Sequence, residues 1–71
     1  MQVFVLLSYT FDPWNHRFDD FNVIGLYYTL EQAKNACPIT GTWKTGNNLV
    51  YAIDGCDKDG YEYEIEVRDV Q

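Results

Sequence analysis

The chain has 71 residues, 46% of them hydrophobic and 17% aromatic, and a formal net charge of −6. That length allows one small domain; the acidic balance argues against wrapping a nucleic acid, whose phosphates need cationic partners. No run approaches the roughly 18 apolar residues of a membrane-spanning helix.

Residues 3–10 (VFVLLSYT) are β-branched and aromatic, with apolar side chains on both parities, which predicts a central strand covered on both faces. Residues 11–22 (FDPWNHRFDDFN) mix Pro13 and four aromatics with Asp and Asn, and read as a long hairpin connection whose ends extend the strands. Residues 23–28 (VIGLYY) form the second strand, with Gly25 marking a bulge or a close approach of backbone. Strict alternation there sets Val23 and Tyr27 opposite Ile24, Leu26 and Tyr28.

Thr29 and Gln32 have the spacing of a capping box, in which each side chain satisfies an orphan amide, and they open a helix over residues 30–37. Leu30, Ala33 and Cys37 share one of its faces, and Pro38 cannot continue it. A loop over residues 38–48 follows, from which Ile39 and Trp43 are expected to help the helix cover the sheet. Residues 49–53 (LVYAI) read as the third strand and residues 60–70 as the fourth, joined through two Asp-Gly pairs that signal a tight turn. The expected fold is a single α+β domain over residues 1–71: a four-stranded antiparallel sheet with one short helix packed on one face, in the order β-β-α-β-β.

The VFVLLSY start and the IGLYYTLEQAK stretch at residues 24–34 resemble a family of short uncharacterised bacterial and phage proteins. In that family a first strand pairs with an "IGxY" strand that runs directly into an "xxEEAK" helix. The resemblance covers the first half of the chain. It implies the strand-to-helix junction, and because the family has no established activity it carries over no functional residue.

Chemistry is hard to find. His16 lies in a loop with no nucleophile signature near Cys37 or Cys56, so a Cys-His enzyme is not expected. A calcium loop started at Asp54 places Cys56 third and Asp59 sixth, and one started at Asp57 places Glu62 sixth, so neither register fits. Two cysteines and one distant histidine close no zinc site. The glycines and Lys44 of residues 40–48 follow a helix and open a strand, the reverse of a phosphate-binding loop. No enzyme, metal or cofactor is expected. The opening residues lack a basic segment and a small-residue cleavage site, so reduced thiols and a cytoplasmic location are the expectation.

The charge is unevenly spread, with a net of −1 over residues 1–53 and −5 over residues 54–71. In GYEYEIEVRDV the apolar Tyr61, Tyr63, Ile65 and Val67 alternate with Glu62, Glu64 and Glu66, giving one greasy face and one row of carboxylates. Two readings stand. The row is the wet side of a terminal strand, charged so that the sheet edge recruits no other chain. Or it is a surface for a basic protein, continued by Asp57 and Asp59 in the preceding turn. The leading expectation is therefore a small acidic protein-binding module, an inhibitor or regulator from a phage or mobile element, acting through this face or through exposed aromatics such as Trp14 and Phe18. A nucleic-acid-binding loop built from Trp14, His16, Arg17 and Phe18 is one alternative, and a structural or assembly subunit without activity is another. One helix cannot cover both sets of apolar side chains on the first two strands. Either the protein is a homodimer through the open face, or residues 11–22 fold back over it with Phe11, Trp14, Phe18 and Phe21.

Overall fold

The computed structural model describes residues 1–46 and 50–70. They form β1 (Gln2–Asp12), β2 (Arg17–Tyr27), α1 (Leu30–Ala36), β3 (Trp43–Thr45), β4 (Val50–Ile53) and β5 (Glu62–Asp69). All pairings are antiparallel, and the sheet runs β2-β1-β5-β4-β3. The expected α+β class and single short helix are present, but the sheet has five strands, not four. The addition is β3, inside the stretch expected to be loop. Its three residues pair Trp43 with Ile53 and Thr45 with Tyr51, a run too short for alternation to show. Asn47, Asn48 and Leu49, assigned above to the end of the loop and the start of a strand, lie outside the described residues.

A second correction concerns the last strand. β5 lies between β1 and β4 in the middle of the sheet, so Glu62, Glu64 and Glu66 cannot be protecting an edge. The edges are β3 and β2. Sequence alternation reports that one side of a strand is wet; it carries no information about what pairs on its flanks.

Helix α1 starts where the cap residues place it. The Gln32 amide donates to Thr29 Oγ1 at 3.1 Å, while Gln32 Oε1 accepts from the amide of Tyr28 at 3.2 Å, one residue earlier than in a standard capping box. Seven residues rise only about 10 Å, so the helix covers a small area of one sheet face. There Leu6, Ala33 and Ile65 are fully buried at 0% exposure. Phe4, Tyr27, Leu30, Cys37 and Trp43 pack around them, so Trp43 does supply the extra cover expected of it.

Most of the expected 11–22 connection is strand, and only residues 13–16 turn. Asp12 organises that turn: its carboxylate accepts from the amide of Trp14 at 2.9 Å and from Asn15 Nδ2 at 2.7 Å. Since β5 pairs with β1 only from Gln2 to Tyr9, the far end of the β1–β2 hairpin projects beyond the sheet as a two-stranded ribbon.

The β1–β2 register slips twice. Leu6 pairs with Gly25 and Leu7 with Val23; Ser8 pairs with Asn22 and Thr10 with Asp19. Each slip adds a residue to β2, and Asp20, at the second, has a φ of 56°. Antiparallel partners share a face. Val23 therefore joins Leu26 on the side away from the helix, and Tyr27 joins the helix side, which reverses the grouping that strict alternation gave. Gly25 proves to be both a bulge and a close approach: a Cβ built on it would lie 2.6 Å from Tyr27 Oη and 2.9 Å from Tyr27 Cζ. Tyr27 packs against the core, so its ring would have to shift within that packing to admit a methyl group. Gly25→Ala is expected to cost about 1–2 kcal/mol by overpacking, measured as an earlier urea midpoint with an unchanged slope.

Candidate interaction face

Opposite the helix the sheet presents an open face whose columns on β2, β1 and β5 form the candidate site; beyond them Val50 and Ala52 of β4, paired with Glu66 and Glu64, and Lys44 of β3, paired with Ala52, continue the same face. On β1 stand Val3, Val5, Leu7, Tyr9 and Phe11. Beside them on β2 stand Leu26 (paired with Val5), Val23 (paired with Leu7) and Phe18 (paired with Phe11). Phe21 reaches the same column, its ring 5.5 Å from that of Tyr9, while Phe18 meets Tyr9 edge-on at 5.1 Å. On the other flank β5 contributes Glu66 beside Val5, Glu64 beside Leu7 and Glu62 beside Tyr9. The two bulges in β2 are what bring Phe18, Phe21, Val23 and Leu26 into one line despite their uneven sequence spacing.

The face is not sealed. Phe21, Val23 and Leu26 are 61%, 67% and 65% exposed. Leu7 and Tyr9 beside them are buried, and the rings of Phe18 and Phe21 lean over Tyr9. In this limited sense residues 11–22 supply their own cover. They do so as a strand in the sheet, and Trp14 takes no part: it sits at the ribbon tip, 90% exposed. At one end, where the Val70 amide donates to the Met1 carbonyl, Met1, Val3, Leu26, Tyr27, Tyr28 and Val70 line a groove of ≈ 270 Å³.

The three glutamates are half-buried, unlike a freely solvated row. Glu64 holds its proton more tightly than an ordinary carboxyl, first because of burial and then because of the Glu66 carboxylate; the hydroxyl of Tyr9 beside it works the other way. Tyr9 in turn is pushed up to about 12 by burial and by the Glu64 and Glu62 carboxylates. Arg68, next on the same side of β5, donates to Glu66 Oε2 from Nε at 3.0 Å and closes the row at that end. Lys44, the other cation with a chance to interrupt it, pairs with Asp54 at 3.3 Å.

Asp57 and Asp59 do not extend the row. Asp57 is the hub of the turn between β4 and β5: Oδ1 accepts from the amides of Asp59 (2.9 Å) and Tyr61 (3.0 Å), and Oδ2 from the hydroxyl of Tyr63 at 2.8 Å. Those bonds, led by the Tyr61 amide, hold its carboxyl below the usual range. Tyr63 belongs to the helix-side face with Ile65, so Asp57 serves the core. Gly55 and Gly60, at φ values of 93° and 86°, supply the left-handed positions that the Asp-Gly pairs announced.

Of the residues singled out in the sequence, the structure thus joins Glu62, Glu64, Glu66 and Phe18 on one face and leaves Trp14, Asp57 and Asp59 elsewhere. The aromatic-basic loop is also dispersed. Arg17 pairs with Asp19 at 3.1 Å and Phe18 turns to the open face, leaving Trp14 and His16 at the tip. Cys37 and Cys56 are free thiols, and burial pushes that of Cys37 up, away from the thiolate a nucleophile needs. Among the described residues no three His, Cys, Asp or Glu side chains gather as metal ligands, and no helix is long and apolar enough to cross a membrane. Comparison of the chain with protein-family models, curated proteins and solved structures yields no match.

Proposed function

We propose that the protein is a small binding module whose open sheet face docks a protein partner bearing an apolar strip beside a cationic one. One observation carries this reading: an exposed apolar column on β2 (Phe18, Phe21, Val23, Leu26) adjoins the more buried apolar column of β1, which in turn adjoins a row of half-buried carboxylates on β5, on a face the helix does not reach. Isolated exposed apolar residues need no explanation, whereas a contiguous set rimmed by charge is the usual composition of an interaction surface. The acidic column would speed encounter with a basic surface and select against acidic ones. Regulation or inhibition of a host protein by a phage or mobile-element product is one setting for such a module, supported by the small size, acidity and surplus aromatics of the chain.

The test compares the wild-type protein with the double variant Val23→Ser/Leu26→Ser as bait in lysate of the native cell. Both positions are exposed, so the substitutions leave the fold standing, with effects on stability within about 0.5 kcal/mol each. The proteins captured by wild type should be lost from the variant and should elute from wild type at raised salt. Identical capture by the two baits rejects the open face as the docking surface.

A further inference from the structure

We infer that the segment received by the open face is a basic amphipathic helix, laid along the β1–β2 hairpin with its Lys/Arg side over the glutamates of β5. The inference rests on the binding reading above and names the partner's local chemistry.

Backbone hydrogen bonding narrows the choice first. A segment lying on a sheet face, as opposed to its edge, finds no backbone partners there, so it must arrive with its own N–H and C=O groups paired. A helix meets that requirement and a single extended strand does not. Strand addition at the β2 edge, which borders the apolar columns, is obstructed as well, because the two register slips and the left-handed Asp20 break its outer line.

A second copy of this sheet would satisfy its own backbone, but its charges fail. The chain has only five Lys and Arg residues, and the two on or beside the open face are already held, Arg68 by Glu66 and Lys44 by Asp54. A face-to-face dimer would bury the glutamates without a matching cationic column, and buried unpaired carboxylates are strongly unfavourable. A helix with cations along one side supplies that column.

Dimensions agree. β2 to β5 spans two strand spacings, about 10 Å, which is the width of one helix with its side chains. From Val3 to Tyr9 the apolar column runs about 20 Å, equal to the rise of roughly 13 helical residues. The groove beside Val3 and Leu26 ends the column. At ≈ 270 Å³ it is small for a drug-sized ligand and ample for one large apolar side chain.

The test uses the whole protein and synthetic peptides of about 18 residues, long enough for the column. The first contains only leucine and lysine, with leucines at helical spacing. The second replaces lysine by glutamate. The third alternates leucine and lysine one by one, which favours a strand. Calorimetric titration should show the first binding at least about tenfold more tightly than either of the others. Glu62→Gln/Glu64→Gln/Glu66→Gln should weaken that binding about tenfold, with an unchanged far-ultraviolet spectrum for the free protein. Equal binding of the alternating peptide overturns the helix, and equal binding of the glutamate peptide overturns the basic partner. A dimer seen by light scattering that is dissolved by Val23→Ser/Leu26→Ser would make the occupant a second copy. That outcome overturns this inference and leaves the open face as a docking surface.

Discussion

Ile65→Ala is expected to remove about half of the stability of this domain. Ile65 is fully buried on the central strand, cross-strand from Leu6 and under Ala33 of the helix. Truncating such a side chain loses its transfer free energy and leaves a cavity, together about 2–5 kcal/mol. A domain of 71 residues has about 4–11 kcal/mol in total by the usual per-residue range. With only three fully buried apolar residues at its centre, the protein has no second cluster to fall back on among its described residues. The thermal midpoint should drop by at least about 10 °C, on the scale of several degrees per kcal/mol for small domains. Val23→Ala on the opposite face is the control, where 67% exposure predicts a change within about 0.5 kcal/mol. Comparable losses at the two positions would mean that the open face is part of the core and is not available to a partner.

The contrast between those two positions also marks how far the sequence could be read. On β5 period-two alternation was sufficient: Tyr63 and Ile65 are buried on one side and the glutamates lie on the other. Its place in the sheet was not legible, because an acidic face looks alike on a central strand and on an edge. The helix was legible from Thr29, Gln32 and Pro38, which are local chemistry, and α1 ends at Ala36, within a residue of the expected bound. β3 was not, since three residues between glycines carry no period and are fixed by pairing with β4.

The acidic half of the candidate site could be seen in advance and the apolar half could not. Strict alternation along residues 18–26 scatters Phe18, Phe21, Val23 and Leu26 over both faces. Two extra residues in β2 gather them on one, beside Leu7 and Tyr9. The available signal was the residue type at the slips: Gly25 for the first, and Asp20, which tolerates a positive φ, for the second. Asp57 shows the opposite limit. Its charge invited placement in the acidic surface, but three hydrogen bonds within its own turn and to Tyr63 commit it to the core side.

Those two sides of the sheet should fail together at high pH. Tyr9 lies on the open face among Glu62 and Glu64, and Tyr63 lies on the helix side with its hydroxyl donating to Asp57. Both phenols are pushed from 10.0 up to about 12, in each case by burial first and then by the neighbouring carboxylates. A folded state that holds a proton more tightly than the unfolded chain is favoured while the group is protonated. The contribution is therefore complete below about pH 10, the unfolded value for tyrosine, and is lost as pH rises through about 12. Ionising Tyr63 would also abolish its bond to Asp57 and set two negative charges against each other. The net charge of −6 makes each further negative charge harder to hold in the compact state. Thermal midpoints taken from about pH 9 upward should fall steeply across this window, with phenolate absorbance rising as the fold is lost. Tyr9→Phe and Tyr63→Phe should each flatten the fall, and the double variant should flatten it most. An unchanged profile in the double variant would mean that neither phenol is coupled to folding. A basic helix seated on the open face would act on Tyr9 alone, since cations over Glu62 and Glu64 reduce the repulsion its phenolate meets while Tyr63 remains on the far side of the sheet.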